Sequence, residues 1–298
     1  MVDSESNNNW DWFMKKLHGV LGDERRLVFM SDRNRGIKES IAKVFPSSLH
    51  AYCLFHLKGN LRTCLAPTNV RYKESLIKIF DKCAYAPTIA KFDQNMTKLL
   101  KHGGAAVVHF FLELPNERWA NAFFPGPRYG TMSSSLAECF NSWILKEREL
   151  PVLDMVDRIR KKMMRLMCVR REKAMKWEQV LCPDRESKAY NLVKTWKVIP
   201  SSPDIFEVDT DPSVSVDIRS HTCSCCLWQL DGFPCCHAVC AIKYSGKDLN
   251  SFVDPYFQVE SYRMVYSKPI YPIPSLWKGD AGHWDQYSAT LEETCREA

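Results

Sequence analysis

Apolar positions at Trp10, Phe13, Met14, Leu17, Val20 and Leu21 recur at helical spacing and predict a first helix within residues 3–21. The aromatic stripe reads as packed core. The short apolar run from Arg26 to Ser31, closed by Asp32, reads as a buried strand with the acid at its carboxyl end. A helix from Ile37 to Val44 follows and Pro46 stops it. Leu49 to Cys53 predicts a second strand, and Cys53-Leu-Phe-His56 opens another helix through Leu57 and Leu61. Strand, helix, strand, helix is an α/β alternation.

Helical patterns then run from Tyr72 to Ala84, from Thr88 to Lys101 and around Val107–Leu114. Ser and Thr at 131–135 precede a helix with Glu138 in its first turn. That helix pauses at Glu149-Leu-Pro151 and resumes. Along Arg158–Lys176 nine bases face a lone Glu172, with Val152, Met155, Val156, Ile159, Met163, Leu166 and Met167 on the other side. Residues 178–202 are polar, carry Pro183 and Pro200, and read as a linker. Phe206–Val208 and Val214–Ile218 alternate as strands of a small hairpin, and Val239–Tyr244 reads as a short helix. Prolines at 255, 269 and 272 predict an extended tail with loose last twenty residues.

The chain of 298 residues is 45% hydrophobic and 26% charged, a globular composition with room for one large or two ordinary domains. No apolar run is long enough to span a membrane. The net charge of +6 permits a nucleic-acid partner without demanding one. The lopsided basic helix is the place to look for phosphate contact, through residues such as Arg158, Lys161, Lys162 and Arg165, although most charge runs are only a solvated face.

The 13 cysteines change the picture most. Cys223-Ser-Cys225, nine residues, then Cys235-Cys-His237 sets four borderline ligands in two close pairs. Asp231-Gly232-Phe-Pro234 supplies turn chemistry between them. Three thiolates and an imidazole with no open position make a closed tetrahedral zinc site. Cys226, Cys236 and Cys240 lie near enough that one could replace a named ligand. The bland alternative is buried or disulfide-bonded cysteine. Met1 to Asn7 shows no apolar run of a secretory leader, which favours reduced thiols and metal. Zinc would contribute roughly 10 kcal/mol or more to such a segment, and a closed site binds or scaffolds rather than catalyses.

The C-x-C…C-x-H pattern resembles the SWIM zinc finger, and Trp228-Gln-Leu-Asp-Gly-Phe-Pro-Cys235-Cys-His237-Ala resembles the version in plant Mutator-like (MULE/MuDR) transposases. Ser31-Asp32-Arg33…Gly36-Ile37…Phe45-Pro46…His50…Cys53-x-x-His56-Leu57…Asn60 is similar to the second-Asp segment of that family's catalytic domain. Asn116-Glu-Arg-Trp119-Ala…Phe123-Phe-Pro125…Arg128-Tyr129 is similar to the end of its helical insertion. Thr131 to Trp143, with Ala137-Glu138-Cys-Phe140-Asn141, is similar to the segment around its catalytic Glu.

The resemblance implies a partial RNase H-like, DDE-transposase core at 1–177 with an all-helical insertion at about 64–130. A linker at 178–202, a SWIM finger at 203–245 and an extended tail at 246–298 would follow. It implies Asp32 and Glu138 as two of three carboxylates that hold a pair of Mg²⁺ ions for phosphodiester attack. Taken alone, a strand-end acid such as Asp32 is more often a turn or helix cap, and Glu138 could answer the helix dipole. Trp119 would stack on an unpaired base, worth about 1–3 kcal/mol, or simply pack. Cys53 and His56 are a family motif of unassigned role.

The family's first Asp lies on an earlier strand, and neither Asp3 nor Asp11 replaces it. The expectation is therefore an α/β protein that binds zinc structurally, takes up Mg²⁺ only where a complete triad exists, and carries out little or no strand transfer. Its expected partner is DNA, at transposon terminal repeats or regulatory sites, in the nucleus, with self-association left open. The rival readings are a domesticated transcription regulator resembling far-red-impaired-response proteins, and a zinc-stabilised protein-interaction module.

Overall fold

A computed structural model describes residues 5–22, 27–65, 69–192 and 194–273. In chain order the elements are α1 (Asn7–Leu21), β1 (Val28–Ser31), α2 (Arg35–Val44), β2 (Leu49–Tyr52), α3 (Leu54–Cys64), α4 (Val70–Ala84), α5 (Ile89–Phe111), α6 (Ser135–Trp143) and α7 (Val152–Met175). Then come α8 (Pro183–Leu192), β3 (Val198–Pro200), β4 (Ile205–Val208), β5 (Val214–Asp217), β6 (Thr222–Cys223), α9 (Leu227–Asp231), α10 (Cys236–Tyr244) and α11 (Val259–Val265). Helices and strands are mixed. The described residues form two compact units, those within 5–142 with those within 179–258, and 143–178 with 259–273.

In the first unit β1 and β2 pair in parallel, with Val28 opposite Leu49 and Ser31 opposite Tyr52. A parallel pair needs a crossover, and α2 supplies it. Asn34 starts α2 because its side chain accepts from the amides of Gly36 and Ile37. Met14 of α1 packs on Ile37, Ile41 and Phe45 with Trp10 and Leu17 partly buried beside it, whereas Phe13, Val20 and Leu21 are exposed, so only half of the stripe read as core is core. A separate helical core joins Leu57 and Leu61 of α3, Leu76 and Phe80 of α4, and Phe92, Leu99 and Val107 of α5. α5 runs through a kink at Gly104, whose φ of 61° lies in the left-handed region.

The later part of this unit is a four-stranded antiparallel sheet in the order β3-β4-β5-β6. Phe206, Val208 and Val216 on its inner face meet Trp228, Ala238, Ala241 and Ile242. The alternation at 205–208 and 214–217 turns one side chain in two toward this core, as period-2 patterning requires. The expected linker at 178–202 is instead ordered structure. It contributes α8 and β3, and Leu181 and Ala189 pack with Phe233, Val253 and Phe257. The expected extended tail also carries structure, with tight helical turns at Leu249–Phe252 and Pro255–Phe257 and then α11. Residues beyond 273, including the expected loose end, lie outside the described residues.

In the second unit α7 holds α11 through its bases. Arg170 donates to the Tyr266 hydroxyl at 2.6 Å and Arg171 to the Tyr266 carbonyl at 2.7 Å. Arg263 returns bonds to the carbonyls of Ala174 and Trp177. Only Ala174 of α7 is buried, so Val156, Met163 and Leu166 stay exposed.

His50 on β2 is buried, with Nε2 2.8 Å from the Ser31 hydroxyl. Burial first, and then the positive charges of Arg118 and Lys38, pull its pKa down to about 4. The unfolded imidazole takes its proton near 6.5 and the folded one only near 4. Stability is therefore full above about pH 6.5 and is lost as the pH falls toward 4, because the unfolded chain binds the extra proton. Urea midpoints measured across that window should fall with pH. The fall should be shallower in His50→Gln; equal slopes would show that His50 contributes nothing.

Candidate metal centre

Cys223 closes β6, and Cys225 lies in the turn behind it. Cys226 takes a left-handed φ of 63° and so swings the chain into α9. Gly232 ends that helix at φ 64°, where a Cβ would lie 2.7 Å from the Tyr129 ring; only glycine fits both demands. The chain returns through Pro234 to Cys235, which caps α10, and His237 sits in the first turn. Two short elements thus bring two ligand pairs face to face.

One ligand atom from each of Cys223, Cys225, Cys235 and His237 lies within 4.8 Å of all the others. Cys225 Sγ is 3.5 Å from Cys235 Sγ, and His237 Nδ1 is 3.8 Å from the sulfurs of both Cys223 and Cys235. Ligands at about 2.3 Å from a tetrahedral zinc stand about 3.8 Å apart, so the cluster matches that ion in size and donor set. The nitrogen turned inward is Nδ1. Cys223 and Cys235 are buried. Thiol hydrogen bonds from Cys223 and Cys235 hold the Cys225 thiol below its ordinary range. A bound zinc would supply no catalytic step here. It would tie β6 to α10.

Aromatic rings wall the cluster. Trp196 stacks on His237 with centroids 5.0 Å apart, and Trp228 stacks on His221 at 5.2 Å. Sequence reading did not assign these stacks, because no spacing links residue 196 to 237. Of the three nearby cysteines left open as substitutes, Cys226 reaches the Ser224 carbonyl and Cys240 the Lys194 carbonyl, and neither they nor Cys236 join the cluster. Among the described residues the cysteines are free, without disulfides.

The finger is also fastened to the earlier half of its unit. The amides of Arg128 and Tyr129 both donate to the Leu230 carbonyl, at 2.6 and 3.1 Å, and the Tyr129 hydroxyl bonds Asp254 at 3.2 Å.

Two family models match the chain: the MULE transposase domain over residues 1–60 and the SWIM zinc finger over residues 206–246. The chain carries a MULE transposase segment and a SWIM zinc finger. The SWIM match encloses all four clustered ligands, and the MULE match encloses Asp32, Cys53 and His56 but ends before Glu138. Protein FAR1-RELATED SEQUENCE 4 of Arabidopsis thaliana is 28% identical over 151 residues, covering 47% of this chain and 20% of that protein. Protein FAR1-RELATED SEQUENCE 7 of the same plant is 24% identical over 154 residues, covering 46% and 19%. The chain thus spans about a fifth of the length of these curated relatives. No solved structure matches it.

Within the MULE segment, Asp32 follows β1 directly, and its Oδ1 accepts the Asn34 amide at 3.0 Å. That bond shapes the turn into α2. Glu138 stands exposed on α6, and among the described residues neither acid joins a cluster of three or more metal-capable groups. Cys53 is the junction between their two elements. Its amide donates to the Ser31 carbonyl beside Asp32 at 2.7 Å, and its Sγ accepts from the Ser134 amide and hydroxyl at 3.2 and 3.3 Å, just before α6. Burial would raise this thiol, but hydrogen bonds from Ser134 and His56 outweigh it and hold the pKa below its ordinary value.

The expected DNA contacts divide. Trp119 is fully buried against Phe80, Phe92 and Phe111, with ring centroids 5.0, 5.7 and 5.4 Å away. It offers no face to a base, and the stacking expectation is corrected to packing. In the second unit, Lys162 bonds Glu147 at 2.9 Å and lies over the Trp143 ring, while Lys161 pairs with Asp157 at 2.9 Å. Arg158 and Arg165 are exposed and make no ion pair among the described residues.

Among the described residues, no helix is long and apolar enough to cross a membrane.

Proposed function

We propose that this chain is a zinc-stabilised, DNA-associated nuclear protein of Mutator-like transposase descent. The observation that carries this reading is the closed three-thiol, one-imidazole cluster inside the SWIM match, on a chain that also carries a MULE segment. β1, α2 and β2 serve as part of an RNase H-like core, with Asp32 at the carboxyl end of the strand. Asp32 and Glu138 are the residues to hold Mg²⁺ where a complete triad forms. Arg158 and Arg165 contact DNA phosphates, with lesser parts for the paired Lys161 and Lys162.

Salt titration tests the DNA role. Each lost phosphate contact reduces the slope of log affinity against log salt by about 0.9. Arg158→Gln with Arg165→Gln should flatten the slope by about 2 and weaken binding to all duplexes alike. Salt-independent or absent binding by the zinc-loaded chain would instead indicate a protein-interaction module.

The two FAR1-related matches favour a second reading, a domesticated regulator that uses the same parts to bind DNA without cutting it. Binding to regulatory sites with no metal-dependent nicking of terminal-repeat DNA would select it.

A further inference from the structure

A cavity of about 160 Å³ opens between α2 and β2. Ile41 and Phe45 form its apolar wall; Lys38, Ser48, His50 and Arg118 form its polar one. No carboxylate lines it. Arg118 is held in place by a neutral group, since its Nη1 donates to the His50 carbonyl at 3.1 Å. Its remaining donors have no acid among the described residues, and Lys38 likewise makes no ion pair there. Two cations therefore converge on a small recess with their charge unanswered.

We propose that this recess binds a single phosphate group, gripped by the Arg118 fork and Lys38 with Ser48 as a neutral donor. A guanidinium presents a planar fork of donors that suits phosphate oxygens, and a lysine adds a point charge. The volume is ample for one such group. The depressed titration of His50 is a sign of the same uncompensated field: burial, Arg118 and Lys38 lower it, while Asp32 is the one acid that raises it. The bond from His50 to Ser31 places the recess one residue from Asp32 along β1. The inference stands on the cavity alone, whether or not the chain binds DNA.

The test follows the His50 ring by NMR in the full, zinc-loaded chain. Inorganic phosphate is compared with chloride at equal ionic strength. The His50 midpoint should rise by about one unit as an anion answers the two cations. Arg118→Gln and Lys38→Gln should each weaken phosphate by about tenfold or more, the scale of one charge-assisted bond. Lys91→Gln, outside the recess, should leave it unchanged. A short oligonucleotide with and without a 5′-phosphate separates the sources. Equal responses mark a backbone diester, a response to the phosphorylated form alone marks a terminal monoester, and a response to inorganic phosphate alone marks a free anion. A His50 ring indifferent to all three probes, or a response that survives both substitutions in chains that remain folded, would overturn the proposal.

Discussion

Removing zinc with a strong chelator is expected to unfold the finger, and Cys235→Ser or His237→Ala should do the same without chelator. The four ligands tie β6 to α10 across the loop that carries α9, beside the apolar packing on Trp228 and Ala238, and a structural zinc contributes on the order of 10 kcal/mol. Metal analysis of the purified chain should give about one zinc per chain, from the one such cluster among the described residues. Cys226→Ser and Cys240→Ser should keep that zinc, because both thiols point to backbone carbonyls. Loss of zinc in either of those variants, with full retention in Cys235→Ser, would reverse the ligand assignment. The Trp196 fluorophore stacked on His237 gives a direct reporter, since its emission should change with the metal.

Trp119→Ala should cost about 3–5 kcal/mol, the range for a large aromatic removed from a packed core. Three phenylalanine rings on α4 and α5 would lose their shared neighbour. Thermal melting would show the loss as a lower midpoint. Trp119→Phe keeps most of the contact area and should fold, and its DNA affinity should equal that of the parent. A folded Trp119→Phe chain with selectively weakened DNA binding would restore the base-stacking role that burial denies.

Much of the first unit was legible in the chain because its signals are local. β1, α2 and β2 announce themselves by apolar runs and by Pro46, and the ligand pairs by their spacing. The spacing left three spare cysteines in contention; only the direction of each side chain separates them, and direction depends on the left-handed turn at Cys226. Trp119 stays open between stacking and packing in the sequence because Asn116, Glu117 and Arg118 before it are polar while Ala120, Phe123 and Phe124 after it are apolar, and only burial decides between the two. The basic run misled in part because Glu147 and Asp157 lie outside the counted window of Arg158–Lys176 yet neutralise bases within it. Residues 178–202 look like a connector since their packing partners, Phe233 and Phe257, come dozens of positions later. Pairings of that range leave no period in the sequence.

The hydrogen bonds from Arg128 and Tyr129 to Leu230 have a consequence for how the chain is made. Roughly one hundred residues separate donor and acceptor, and a ribosome adding about 5–20 residues per second needs about 5–20 s to bridge them. During that interval the loop at 128–129 has emerged without its acceptor, while α3, α4 and α5 already have one another. The helical core can therefore form on the ribosome, whereas the Tyr129 region must wait for α9. Zinc capture then follows the helical core in the order of synthesis, and a cell short of zinc would leave the Tyr129 region waiting for its docked partner.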